Sequence, residues 1–269
     1  MNTLAHYRQK LAEKGFSGII AGRWRWYKQS FQMDNWVIGR LIELSGNKIS
    51  IQGVTLSVDN PLVTTRHKSS MYFGIYEISE RKLARRYIDP SLPIVEIGGS
   101  IGGVACTTNK LLIYPSDHVV VECNPIVLPT LERNKILNNC KFSVEPFALA
   151  YGSNTISFAI DLDHFMLGSL ARTDGKQVTV QTITLKRILD KYCFKIINLI
   201  SDSEGGEVEM VEHEPDLLRQ HVKCLILETH EQLRGREPIT KTLSVLNDLG
   251  FQIQERGENT LAMINRHLL

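Results

Sequence analysis

The chain of 269 residues has no C-x-x-C pair: its five cysteines, Cys106, Cys123, Cys140, Cys193 and Cys224, are scattered and odd in number. That excludes a disulfide framework and the common zinc spacings. It fits free thiols in apolar stretches and a reducing, cytoplasmic setting. No apolar run approaches the ~20 residues needed to cross a bilayer, so no membrane span is expected. Neither charge dominates, with 31 Lys plus Arg against 29 Asp plus Glu. A whole-protein electrostatic case for nucleic acid or a membrane surface is therefore missing, and DNA is not an expected partner. Tandem repeats and low-complexity tracts are absent too. What is left is an ordinary globular chain, long enough for one large α/β domain plus an appendage.

The informative stretch is Pro93-Ile94-Val95-Glu96-Ile97-Gly98-Gly99-Ser100-Ile101-Gly102-Gly103. An apolar run punctuated by an acid passes into four glycines, and Val104, Thr107, Thr108 and Leu111 follow at helical spacing. This reads as a buried parallel strand, a tight turn and a helix start, the arrangement that holds nucleotide-like ligands in open α/β sheets.

Ahead of it, Leu4, Tyr7 and Leu11 predict a short amphipathic helix. Arg23-Trp24-Arg25-Trp26-Tyr27-Lys28 reads as a surface helix whose aromatics dock while its cations stay solvated; interleaved cations and aromatics also suit RNA or glycans. Residues 48–58 alternate as strands, 69–74 are mixed, and a helix carries Ile78, Leu83 and Tyr87 until Asp89-Pro90-Ser91-Leu92-Pro93 stops it. The boundary between an N-terminal α+β accessory region, 1–90, and a core domain, 91–269, is placed there.

Beyond Ile97, apolar runs predict strands at 118–122, 141–146, 195–200 and 224–228. An extra strand pair is expected at 155–160 and 178–180, and an antiparallel hairpin at 251–254 and 260–264 across Gly257. Asn124-Pro125 reads as the N-cap and first residue of a helix through Leu131 and Leu137, with Pro129 straining its early turns. Other helices carry Leu185, Ile188 and Leu189, and Leu243, Leu246 and Leu249. The sum is a mostly parallel sheet with an antiparallel tail. Ligands in such sheets lie beyond the strands' carboxyl ends. Those ends carry Gly98 to Gly102, Glu122, Phe147-Ala148, Asp202 to Glu204, and Glu228 with His230.

The glycine turn is not G-x-G-x-x-G, since Ser100 stands where a pyrophosphate would approach a second glycine. Glu96, expected to face the crevice, would repel a pyrophosphate and suit a cationic amino group. S-adenosylmethionine has a sulfonium, an ammonium and a carboxylate but no phosphate. Glu122 is placed to accept hydrogen bonds from ribose hydroxyls.

Several segments together resemble the FkbM-type S-adenosylmethionine-dependent methyltransferases. They are Gly74-Ile75-Tyr76-Glu77, Val95 to Gly102, Val121-Glu122-Cys123-Asn124-Pro125, Ala148 to Gly152, Asp202-Ser203-Glu204-Gly205-Gly206-Glu207, and Leu227-Glu228-Thr229-His230. The sequence departs from that family at Ile200, usually a lysine, at Lys186, commonly an aspartate, and at Glu96, more usually an aspartate. The resemblance implies a Rossmann-like class I methyltransferase sheet and S-adenosyl-L-methionine as cofactor. It also implies O-methylation of a hydroxyl on a sugar, glycan or secondary metabolite.

The cofactor-binding residues expected are Glu96, Gly98, Gly99, Ser100, Ile101, Gly102, Glu122, Cys123, Asn124, Phe147 and Ala148. An alcohol acceptor must lose a proton, so a base is sought among His230, Asp202 and Glu204, with His164 a weaker candidate. Asp202, Glu204 and Glu228 could instead hold a Mg²⁺-type divalent cation through hard oxygen ligands. Capping of the following helix is the plain structural role of Glu204 and Glu207, and His213 is assigned to the surface. The partners expected are the small-molecule or glycan acceptor and, as an open assembly state, a homo-oligomer. The competing functions are an NAD(P)-dependent oxidoreductase on a related sheet and a non-catalytic interaction module that keeps the fold.

Overall fold

The computed structural model describes residues 35–160 and 176–269. The expected helix at 4–11, the basic aromatic segment 23–28 and His164 lie outside the described residues.

Asn35 opens helix α1 (Trp36–Leu44), its side chain accepting from the Ile38 amide at 3.1 Å. Strands β1 (Lys48–Ile51) and β2 (Val54–Ser57) pair as a hairpin that buries Ile49, Ile51, Val54 and Leu56. Thr64 caps α2 (Thr65–Tyr72). This helix corrects the mixed reading of 69–74. Its sequence, TRHKSSMY, buries Met71 as its one large apolar side chain, too little to show a periodic stripe. Helix α3 (Ile78–Tyr87) turns Leu83 and Ala84 inward and ends ahead of Pro90.

The core begins with β3 (Ile94–Ile97), α4 (Gly103–Asn109) and β4 (His118–Val121). Helix α5 (Leu128–Leu137) starts later than expected. The Asn124 side chain accepts from the Ile126 amide at 3.0 Å, and its carbonyl accepts from Val127 and Leu128, so Asn124-Pro125 closes a separate turn. Pro129 then falls in the first helical turn, where its missing N–H removes no helix bond; the expected strain is absent. There follow β5 (Ser143–Glu145), β6 (Ala148–Leu149), β7 (Thr155–Ile160), β8 (Lys176–Ile183), α6 (Leu185–Tyr192) and β9 (Ile197–Ser201). The chain continues with α7 (Gly206–His213), α8 (Pro215–His221), β10 (Val222–Glu228), α9 (Glu231–Arg234), α10 (Arg236–Asp248), β11 (Phe251–Arg256) and β12 (Thr260–Asn265).

The main sheet has the order β11-β12-β10-β9-β3-β4-β5. Every neighbouring pair from β10 to β5 is parallel, and β12 runs antiparallel to both β10 and β11. This is the expected α/β, mostly parallel sheet with its antiparallel C-terminal hairpin. The chain moves outward from β3 to β5 and then crosses back to β9, so a crevice opens beyond the carboxyl ends of β3 and β9. A smaller sheet, β6-β8-β7, stands beside it.

β3, β4 and β9 are buried throughout, as a sheet covered on both faces requires. Each fully buried Val, Leu or Ile contributes about 1.5–3 kcal/mol. One apolar cluster joins Ile42, Ile49, Leu56 and Met71 to Ile101, Ala105, Val120 and Leu131. The N-terminal elements and the glycine loop therefore share a core, which fixes the loop from behind.

Candidate active site

Beyond the carboxyl ends of β3, β4, β9 and β10 lies a cavity of about 330 Å³. Its floor is the glycine loop. Gly98 has φ +88, and a Cβ there would lie 1.8 Å from the Asp202 carbonyl oxygen. The Asp202 amide donates to the Ile97 carbonyl at 2.9 Å, so the loops after β3 and β9 are stitched together at the one residue type that permits the approach. Glu122 anchors the other side, accepting from the Ser100 amide at 2.7 Å and the Asn124 amide at 2.6 Å. Burial pushes its carboxyl up to about 7 against those bonds.

Of the expected cofactor residues, Gly98, Ser100, Glu122, Cys123, Asn124, Phe147 and Ala148 line this cavity. Gly99, Ile101 and Gly102 build the loop from behind: Ile101 is fully buried, and a Cβ on Gly99 would meet Val120 at 2.3 Å.

Glu96 does not face the crevice, and that expectation is corrected. Successive strand side chains point to opposite faces; Ile97 lines the cavity, so Glu96 turns toward α4. There it is 1% exposed, accepting from the Thr108 hydroxyl at 3.4 Å and lying 3.4 Å from His118 Nε2. Burial raises the Glu96 carboxyl to about 8 and lowers the His118 imidazole to about 3. At neutral pH the contact therefore joins two uncharged groups and is no ion pair. A carboxyl raised on folding stabilises fully below its ordinary range, and the contribution is lost as pH rises through about 8. Glu96→Gln is expected to flatten the fall in stability between pH 5 and 8.5, read as urea midpoints. An unchanged pH slope would contradict the assignment.

The second focus is the acidic loop after β9. His230 is 2% exposed, with Nδ1 at 3.1 Å from Glu207 and Nε2 at 3.3 Å from Asp202 and 3.6 Å from Glu204. Burial alone would lower its pKa, but the bonds to Asp202 and Glu207 override that and raise it to about 11. With a carboxylate at each nitrogen, the ring carries both protons. His230 is thus an imidazolium that cannot accept a proton, which corrects the expectation that it is the base. Glu207, fully buried, accepts from the Gly205 amide at 2.9 Å, the Ser203 hydroxyl at 3.2 Å and the His230 amide at 3.2 Å. It ties the acidic loop to the loop after β10, a larger role than capping.

The metal grouping also differs from expectation. Asp202, Glu228 and His230 bring one atom each within 4.8 Å of one another, in place of Asp202, Glu204 and Glu228. The histidine makes this a mixed nitrogen and oxygen set, and Mg²⁺ prefers an oxygen octahedron. The donor set does not fit a Mg²⁺-type ion.

The outer wall was not singled out as a site in the sequence. Tyr76, Glu77 and Glu80 supply one side, and Glu258, Asn259 and Thr260 in the β11–β12 turn supply the other. The Thr260 hydroxyl donates to the Glu80 carboxyl, and the Thr229 amide donates to Asn259 at 2.9 Å. The Tyr76 and Ser100 hydroxyls meet at 2.9 Å, and Glu77 accepts from the Val104 amide at 3.1 Å, capping α4. Gly257 marks the turn in the sequence, but nothing local says which wall it meets.

Three non-glycine residues lining the cavity hold left-handed backbone: Glu77 at φ +48, Ser100 at +45 and Glu204 at +49. Such strain persists only where surrounding contacts over-determine it, and it concentrates at functional sites. The charge of the lining is one-sided. Glu77, Glu80, Glu122, Asp202, Glu204, Glu228 and Glu258 contribute carboxyls, and no Lys, Arg or His lies among the described lining residues.

No protein-family model and no curated protein matches the sequence. Solved structures do resemble it. A methyltransferase from Pyrococcus furiosus is 14% identical with a TM-score of 0.43, covering 85% of this chain and 94% of its own. A ribosomal protein L11 methylase from Lactobacillus delbrueckii subsp. bulgaricus is 15% identical with a TM-score of 0.40, covering 68% and 74%. A precorrin-6y C5,15-methyltransferase from Geobacter metallireducens GS-15 is 12% identical with a TM-score of 0.40, covering 78% and 91%.

Proposed function

We propose that this protein is an S-adenosylmethionine-dependent methyltransferase acting on a hydroxyl group of a sugar, glycan or secondary metabolite. The observation that carries the cofactor assignment is the cavity itself: a glycine loop at the sheet's crossover, surrounded by carboxyls and, among the described residues, without a lining cation. A pyrophosphate placed there meets the carboxyl groups of Glu122, Asp202 and Glu204 beside the loop, which disfavours NAD(P). A sulfonium with an ammonium meets opposite charge. When bound, the cofactor supplies an electrophilic methyl group.

In this reading Glu122, held by the Ser100 and Asn124 amides, keeps lone pairs for ribose hydroxyls. Phe147, Ala148, Gly98 and Ser100, which line the cavity, would hold the cofactor's nucleoside. The described part of the proposed accessory region, residues 35–90, supplies Tyr76, Glu77 and Glu80 to the outer wall. The acceptor is held in line with the methyl group, and alignment provides much of the rate. Asp202 takes the hydroxyl proton, with Glu204 beside it, and the His230 imidazolium fixes both carboxylates. No metal takes part.

Titration calorimetry tests the cofactor directly. S-adenosylhomocysteine is expected to bind, NADH to give no heat, and Glu122→Ala to weaken S-adenosylhomocysteine at least tenfold. NADH binding in its place, or S-adenosylhomocysteine affinity unaffected by Glu122→Ala, would overturn the assignment.

A further inference from the structure

We propose that the acceptor is a cation, a hydroxyl compound bearing a protonated amine, and that Glu80, Glu228 and Glu258 select it by holding that amine against the outer wall. The inference rests on the methyltransferase reading and concerns the selectivity of that same cleft.

The two ends of the cavity are built differently. The carboxyls at the glycine-loop end are engaged by the protein: Glu122 accepts two backbone amides, Glu77 accepts the Val104 amide, and Asp202 lies against His230. The opposite end is formed by α3, the end of β10 and the β11–β12 turn, and brings Glu80, Glu228 and Glu258 to one wall. Among the described residues, none of these three lies within 4.0 Å of a Lys, Arg or His nitrogen. Glu80 is 6% exposed, and its side-chain donor is the Thr260 hydroxyl.

The basic side chains close to this wall are committed elsewhere. Arg81, next to Glu80 in sequence, donates to the Gly74 carbonyl at 2.9 Å and the Tyr76 carbonyl at 2.6 Å. Arg234 donates to the Gly205 carbonyl at 2.7 Å and Glu209 at 2.9 Å. His230 comes within 4.8 Å of Glu228 but makes its closer contacts with Asp202 and Glu207. Among the described residues, His230 is thus the cation nearest this wall, and it is held by Asp202 and Glu207, so Glu80 and Glu258 have no ion-pair partner.

Burial raises the Glu80 carboxyl, and burial together with the nearby Asp202 charge raises Glu228 to about 9. An acceptor phosphate or carboxylate brought there would hold this wall protonated, and a neutral sugar would leave it so. An ammonium, compact and with three donors, lets the wall ionise and meets its lone pairs together. Anionic acceptors, nucleic acids included, are excluded on the same ground.

The test uses three probes sharing a hydroxyphenyl ring and differing in charge at the far end: tyramine, 4-ethylphenol and 3-(4-hydroxyphenyl)propionate. Each is titrated into the full chain saturated with S-adenosylhomocysteine. Tyramine is expected to bind at least tenfold more tightly than 4-ethylphenol, and the propionate not to bind. Glu258→Gln and Glu80→Gln are each expected to reduce tyramine's advantage at least threefold while S-adenosylhomocysteine affinity stays within twofold. Equal behaviour of the three probes, absence of binding by all included, overturns the proposal, as does preference for the propionate. Failure of S-adenosylhomocysteine to bind strikes the cofactor reading instead. The same probe series on the free chain then decides the charge preference by itself.

Discussion

Gly98→Ala is expected to abolish cofactor binding and to be the most damaging single methyl group that can be added to the cleft. The residue holds φ +88, a conformation that costs an L-residue about 1–2 kcal/mol. The added Cβ would sit 1.8 Å from the Asp202 carbonyl oxygen, and that neighbour is backbone, which cannot rotate away. Overpacking adds about 1–3 kcal/mol, so a loss of about 2–5 kcal/mol in urea unfolding is expected, with S-adenosylhomocysteine affinity falling at least 100-fold. Gly152→Ala is the internal control. Its φ is +77, but nothing lies within 4 Å of the new Cβ, so it should show the conformational cost alone and leave binding intact. Equal losses from both substitutions would mean that the approach of the two loops is unimportant.

His230→Gln should have the next largest effect. It removes the cation that Asp202, Glu204 and Glu207 share and leaves Glu207 uncompensated in a fully buried position, a loss of about 3–5 kcal/mol. Turnover should drop at least 100-fold, because the proton acceptor loses its support. The pH dependence identifies the cause. A histidine raised on folding contributes fully below its ordinary value of about 6.5, and the contribution disappears as pH rises through about 11. The stability gap between wild type and His230→Gln is therefore expected to be wide at pH 6.5 and to narrow steadily toward pH 10. A constant gap across that range would show that His230 is not held as an imidazolium.

Much of this fold was legible because the relevant signals are local. Ile94 to Ile97, His118 to Val121 and Cys224 to Glu228 are short apolar runs, each followed by a polar or glycine-rich turn, which reads as a parallel sheet without further help. Helix α2 escaped because tertiary contacts hold it: Lys68 reaches Glu43 at 3.0 Å across to α1, and nothing in TRHKSSMY announces that. The start of α5 was misplaced because Asn124-Pro125 has the same chemistry in a turn as in a cap.

In the site, Gly98, Ser100 and Glu122 could be named from one motif. Glu96 was misdirected by strand parity, which depends on knowing which face of β3 meets the ligand. His230 was misread because its protonation depends on Glu207 and Asp202, brought together by two different loops. The outer wall was invisible for the same reason, since Glu80 and Thr260 are 180 residues apart.

That last contact has a consequence for how the protein comes into being. A chain emerging from the ribosome can form β3, the glycine loop and the loop after β9 long before β12 is made. The outer wall cannot exist until the final hairpin pairs with β10 and Thr260 reaches back to Glu80. Contacts of such sequence separation form late and slowly. On the proposed reading a nascent chain acquires cofactor affinity before it acquires acceptor selectivity, and the two should appear in that order during refolding.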